Sequence, residues 1–352
     1  MHMADALLSP GVGAAFIAAG GTMLAVSARK LTKEADDRKV PLMGVLGAFV
    51  FAAQMINFSI PGTGSSGHLG GGMLLTILLG PYAAFITIAS VLVVQALFFA
   101  DGGILALGTN IWNIGFYPCF IGWPIYKAFT ASRTSKSSIS IAIVVGTVIA
   151  LESGAFSVVV ETFLSGRSEI PFGKFTALML GIHFPIALIE SVVTVAVVNF
   201  VYRIRPEIVR GKIGFDEGYA KSAISYRPVI ITISLLALFT GGVMAWFASS
   251  HPDGLEWSLG RAYGRNQPPA PETGVIPDFA KLQDRTAFFP DYSFKHVESE
   301  TPKPETESKT ESWPDVSLGT SISGIIGSII VLAFVTSLSL VMVKLRGKKK
   351  EL

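Results

Sequence analysis

The stretch LGGGMLLTILLGPYAAFITIASVLVVQALFF (69–99) decides the fold. It is apolar almost throughout, and its one break is Gly80-Pro81. Proline cannot continue a helix interior but suits the first helical position, and glycine accepts the dihedrals of a tight turn. The spacing therefore predicts two helices, over 69–79 and 82–99. The second approaches the ~20 residues of a spanning helix and the first falls short of it. A short or partly re-entrant helix survives at membrane depth only where other protein covers it. The pair predicts a hairpin inside a polytopic bundle, with a site built close by.

Working outward, further apolar stretches run over 8–28, 41–60, 104–129, 138–164, 175–201, 228–248 and 321–343. The 352 residues are 50% hydrophobic and only 15% charged. Soluble domains carry about 25% charged residues, so composition alone indicates an all-α integral membrane protein. The basic residues flank apolar spans instead of forming one patch, which excludes nucleic acid as a partner and leaves membrane lipid. Cys119 is the single cysteine, so it can form neither an internal disulfide nor a cysteine metal cluster.

Lysine and arginine concentrate in 29–39, 127–136, 203–227 and 344–350. Placing these four segments inside satisfies the positive-inside rule and puts the N-terminus outside, with 61–68, 100–103, 165–174 and 249–320. The expected architecture is about seven helices in residues 1–204, a cytoplasmic linker at 205–227, and a second module at 228–345 with two transmembrane helices. The external segment 249–320 of that module includes ESETPKPETESKTESWPD (298–315), too polar to bury a core and expected to be disordered.

The chain opens MHMADALLSP (1–10), with no basic region and cleavage site to suggest a removable leader. The bulky His2 should protect Met1 from trimming. The Met1 amine, the His2 amide and the His2 imidazole then form adjoining small chelate rings. The external loop IPGTGSSGHLGGG (60–72) places His68 among small residues that permit close backbone approach. Brought together, these groups offer four nitrogens in a plane, an arrangement that suits Ni(II) or Cu(II) and that Co(II) can adopt.

The pieces MHMADALLSP, NFSIPGTGSSGHLGGG (57–72), LLGPYAAF (78–85), DGGILALGTNIWNIG (101–115) and GIHFPIALIE (181–190) resemble the CbiM/NikM family. These are the substrate-capture subunits of cobalt/nickel energy-coupling-factor importers. HPDGLEWSLGRAYG (251–264) resembles the PDGLE domain of the small accessory subunit of such importers, so the chain resembles a fusion of the two. The resemblance implies a metal site of Met1, His2 and His68. It also implies a transmembrane coupling subunit and separate ATPase subunits as partners. No G-x-x-x-x-G-K-[ST] run is present for the chain to bind ATP itself. The family usually begins Met-His-Ile-Pro-Asp-Gly, and the Met-Ala-Asp-Ala here alters how the terminus is wedged in.

Asp5 is expected either to orient an imidazole or to cap the first helix. Ser66, Asn110 and Asn113 are candidates for supporting the ligands, and Asp101 reads as a turn residue. His183 and Glu190, seven apart on one helix, read as structural pairing within the bundle. Two alternatives stay open. One is an intramembrane hydrolase using a serine and His183, although no Gly-x-Ser-x-Gly elbow is present. The other is a vitamin-capture subunit of the same importer class. Nickel and cobalt are both compatible with the nitrogen set.

Overall fold

A computed structural model describes residues 2–34, 39–131, 135–166, 170–209, 226–266, 269, 271, 273–295 and 313–350. In chain order it contains α1 (Pro10–Glu34), α2 (Lys39–Gln54), β1 (Phe58–Ile60), β2 (Ser65–Gly67), α3 (Gly72–Leu79) and α4 (Pro81–Phe98). Then come α5 (Leu107–Ile111), a π-helical segment (Trp112–Gly122), α6 (Trp123–Thr130), α7 (Lys136–Ser165), α8 (Phe172–Ile204) and α9 (Pro206–Val209). The second module contributes α10 (Arg227–Gly242), α11 (Gly254–Tyr263), α12 (Val275–Thr286) and α13 (Leu318–Lys350). Among the described residues α1, α4, α7, α8 and α13 are long and apolar enough to cross a membrane, and α2 and α10 are shorter apolar helices. The molecule is an all-α polytopic membrane protein to which one short hairpin of strands is added.

The Gly80-Pro81 break falls between α3 and α4: Gly80 takes φ +82° and Pro81 opens the next helix. Eight residues of helix rise about 12 Å, far less than the ~30 Å of a bilayer core. Every residue of α3 is buried. The helix packs against α2, α4, α6, α7, α8, α9 and the π segment, so protein covers it on all sides. Stretch 104–129 is helical with a π turn in its middle, where Pro118 lies. Proline removes one main-chain donor, and the wider i→i+5 turn accommodates the change.

The strands pair antiparallel with Phe58 opposite Gly67, Ser59 opposite Ser66 and Ile60 opposite Ser65. Gly62 and Gly64, both at positive φ, make the turn. The second module is not a separate body. Helix α13 lies along α2, where a Cβ on Gly44 would sit 2.4 Å from Thr336 Oγ1, and α10 meets α13 where a Cβ on Gly324 would sit 2.3 Å from Gly241 O. Such small residues let membrane helices approach to backbone contact. Part of segment 249–320 is folded: α11 lies on α8 and β2, and α12 lies on α4. Most of 298–315, expected to be disordered, lies outside the described residues.

Candidate metal centre

Met1 lies outside the described residues; the centre is built here from His2 onward. The strand behind His2 is fixed by its main chain. The Met3 amide donates to Asn110 Oδ1 at 2.7 Å, and Asn110 Nδ2 donates to Met3 O at 3.2 Å. The Gly103 amide donates to Met3 O as well, at 3.0 Å. The Met3 side chain is fully buried, its sulfur 3.8 Å from Asn113 Nδ2, which also donates to Glu161 Oε2 at 2.8 Å. Asn110 and Asn113 thus grip Met3 from one face.

His68 follows β2. Beyond it, the Gly70 and Gly71 amides donate to Glu190 Oε2 and Oε1, at 2.8 and 3.0 Å. One carboxylate therefore takes two successive main-chain donors and sets the exit of the loop. Gln54 Nε2 adds a bond to Gly70 O at 2.8 Å. Held from these two directions, the His2 and His68 rings stack with centroids 5.0 Å apart and planes 21° apart. His2 Nδ1 lies 3.5 Å from Asp101 Oδ1. His2 Nε2 is buried with no hydrogen-bond partner among the described residues. Burial pushes both imidazoles down to about 3, so both rings present neutral nitrogen lone pairs at ordinary pH. Burial raises the Asp101 carboxyl, against the hydrogen bond it accepts from the Tyr292 hydroxyl.

Several candidate residues take other positions than expected. Asp5 Oδ1 accepts from the Ala106 amide at 2.9 Å and fixes the segment leading into α5, so it neither orients an imidazole nor caps α1. A Cβ on Gly103 would sit 1.7 Å from that same carboxylate oxygen, so only glycine fits there. The carboxylate beside His2 is Asp101, read from sequence as a turn residue. Ser66 is turned to the accessory segment: its hydroxyl donates to His251 O at 2.7 Å and its amide to Pro252 O at 2.8 Å. Glu190 and His183 do not pair. Glu190 clamps the His68 loop, and His183 Nδ1 bonds Met179 O at 2.7 Å. That nitrogen is committed to a carbonyl, and the other edge of the ring faces Gly254.

Sequence reasoning missed the accessory segment's share in the centre. Ser66 binds residues 251–252, Trp257 Nε1 donates to Thr63 O at 3.0 Å, and the Ser249 amide donates to Asn57 O at 2.7 Å. Asp253 caps α11 by accepting from the Glu256 amide at 2.8 Å. Burial alone would raise its carboxyl; the positive charge of the amino terminus acts most strongly against burial, the His68 ring and the Glu256 amide add to it, and the group ends below the usual carboxylate range. On the other flank, Gln283 Nε2 donates to Ala96 O and Gly102 O at 2.8 and 2.7 Å, and Tyr292 stacks on Phe99. The signal for Asp253 was present in "PDGLE": Asp-Gly-x-Glu is a helix start. Among the described residues no three His, Cys, Asp or Glu side chains form a metal-holding group.

Two family models match the chain. "Cobalt uptake substrate-specific transmembrane region" covers residues 2–208 and "PDGLE domain" covers 227–344. A protein from Archaeoglobus fulgidus, named as a fused nickel transport protein (NikMN), is 30% identical over 334 residues, 95% of this chain and 96% of that one. A cobalt transport protein (CbiM) from Geobacter sulfurreducens is 25% identical over 251 residues, 70% of this chain and 71% of that one. Two crystal structures of transition metal transporters superpose with TM-scores of 0.51 and 0.52 at 31% and 30% identity. They cover 58% and 61% of this chain and 99% and 98% of theirs. Fold, centre and likeness together define a polytopic membrane protein of metal transport. The chain belongs to the CbiM family of cobalt uptake substrate-specific transmembrane proteins and carries a PDGLE domain at its C-terminal end.

Proposed function

We propose that this chain is the substrate-capture subunit of an energy-coupling-factor importer for Ni2+ or Co2+. The metal binds at the outer face through the Met1 amine, the His2 amide and imidazole, and the His68 imidazole, and passes inward when a transmembrane coupling subunit and separate ATPase subunits act. The capture region is 1–204 and the accessory module 228–345, joined through a cytoplasmic linker at 205–227. The protein lies in the plasma membrane with its N-terminus outside and its C-terminus in the cytoplasm. The observation that carries this reading is the meeting of the His2 and His68 rings, from segments 66 residues apart, beneath the external loops. Both ions accept imidazole and amide nitrogen, whereas Mg2+ and Ca2+ require oxygen cages. Nickel is named in one relative and cobalt in another, and the nitrogen set suits either.

The test is calorimetry with Ni2+ and Co2+ on the purified chain and on a variant with one alanine inserted between Met1 and His2. The insertion keeps every side chain and changes only the chelate spacing. Binding of both metals should collapse, and unchanged binding would refute the amino-terminal site. Because the donors must lose protons to bind, affinity in the parent chain should fall as pH is lowered.

A further inference from the structure

The two nitrogens of the His2 ring cannot do the same work. With a metal on the His2 amide, only Nδ1 closes a small chelate ring through Cα and Cβ. Nε2 lies on the far edge of the imidazole. Once Nδ1 gives its lone pair to the metal, the single proton of the neutral ring has to sit on Nε2. Ligating histidines almost always donate that other N–H to an oxygen, which fixes both the tautomer and the ring's orientation.

Two buried atoms answer this need. His2 Nε2 and Gln95 Oε1 are each buried without a hydrogen-bond partner among the described residues. Gln95 lies on α4 and is fully buried. Its side chain favours a proton on the His2 ring, the mark of an oxygen facing that ring. The other end of the same amide is fixed. Gln95 Nε2 donates to the Tyr292 hydroxyl at 3.2 Å, and that hydroxyl donates to Asp101 Oδ2. A hydroxyl has one proton, so with it given to Asp101, Tyr292 can only accept from Gln95. Turned over, the amide would set its oxygen against the lone pairs of the hydroxyl. Asp101 is less well placed to hold the ring: its Oδ1 is 3.5 Å from His2 Nδ1, beyond the about 2.7–3.2 Å of an N–H···O bond.

We propose that Gln95 is a positioning residue for His2: its amide oxygen accepts from Nε2–H and so leaves the Nδ1 lone pair free for Ni2+ or Co2+, while Tyr292 of the accessory module holds the amide in that sense. The proposal rests on the capture reading above and deepens it. Neither Gln95 nor Tyr292 touches the metal; each acts through the next group in line.

The tautomer can be read without metal, by magnetic resonance of the full-length purified chain isotopically labelled at its histidine ring nitrogens. The His2 signals are those missing from a His2→Gln chain. In the parent, His2 should carry its proton on Nε2. Gln95→Met keeps the length of the side chain and removes both amide atoms. The proton should then move to Nδ1, toward Asp101, and Ni2+ affinity by calorimetry should fall about 10- to 100-fold. Gln95→Glu keeps an acceptor in place and should restore the Nε2 proton and most of the affinity. Tyr292→Phe frees the amide to turn over and should give both tautomers, with a smaller loss of affinity than Gln95→Met.

A His2 proton on Nδ1 in the parent chain overturns the proposal. So does an unchanged tautomer in Gln95→Met, even with weaker binding, because affinity lost without a moved proton is lost packing. Gln95→Glu behaving as Gln95→Met overturns it too, and Tyr292→Phe matching the parent in both readings overturns the part given to Tyr292. If the alanine insertion after Met1 leaves Ni2+ binding intact, the amino-terminal site fails on its own experiment. If the insertion abolishes binding while Gln95→Met leaves the tautomer in place, this proposal alone fails.

Discussion

Glu190 shows most directly how one side chain can fix a distant loop. Its two oxygens take the amides of Gly70 and Gly71, so the residues just past His68 cannot shift without breaking both bonds. Glu190→Gln offers one oxygen and turns an NH2 toward the other amide. Hydrogen bonds to charged groups contribute about 1.5–3 kcal/mol each, so Ni2+ affinity should drop roughly tenfold to a hundredfold by calorimetry, while the membrane bundle stays folded by circular dichroism. Asn110→Ala removes both bonds to the Met3 main chain: the Met3 carbonyl keeps the Gly103 amide, while the Met3 amide loses the acceptor that Asn110 Oδ1 supplied. It should weaken metal binding at least tenfold with no change in the His68 loop, as read by hydrogen exchange of residues 65–72. At this scale the sequence displayed the two histidines and concealed the residues that hold their segments in place. His68 stood out because glycines surround it. Glu190 looked like a partner for His183 because the two share a helix face, yet it bonds residues 119 and 120 positions away. Asp101 looked like a turn residue because its partners, His2 and Tyr292, come from opposite ends of the chain. Short-range pattern carries no information about such pairs.

Elements were legible where local chemistry and burial agreed. Gly80-Pro81 announces a break in any context, and the structure places the break there. The strands of the β1–β2 hairpin have three residues each, too few for an alternation to show against glycine and serine. The π turn at 112–122 has the composition of an ordinary apolar helix, and only the internal Pro118 hinted at irregularity. The joint between α10 and α13 depends on size. Leucine in place of Gly324 would press into the Gly241 backbone, and overpacking of that kind costs about 1–3 kcal/mol. Gly324→Leu should therefore lower the thermal unfolding midpoint and expose the 242–318 connection to added protease, while Gly11→Leu, where a Cβ meets nothing within 4 Å, should change neither.

Across the whole molecule, the two ends of the bundle can be told apart by labelling. Cys119 is buried, so the native thiol gives little background. Arg265→Cys, in an exposed turn after α11, should react with a membrane-impermeant maleimide added to intact cells. Ser137→Cys, exposed at the start of α7, should react only after the membrane is opened. The reverse pattern would invert the whole orientation, because the basic loops and the external loops change sides together. The accessory segment also crosses the centre from one flank to the other: residues 249–257 sit on the His68 hairpin, and 283–292 sit on the loop that holds Asp101. This imposes a schedule on the protein's manufacture. Tyr292, which bonds the Asp101 that lies beside His2, emerges some 290 residues after His2. At ribosomal speeds of about 5–20 residues per second, that gap lasts roughly 15–60 s. During that interval the segments that carry His2 and Asp101 stand uncovered, until the final coil of the polypeptide closes over them.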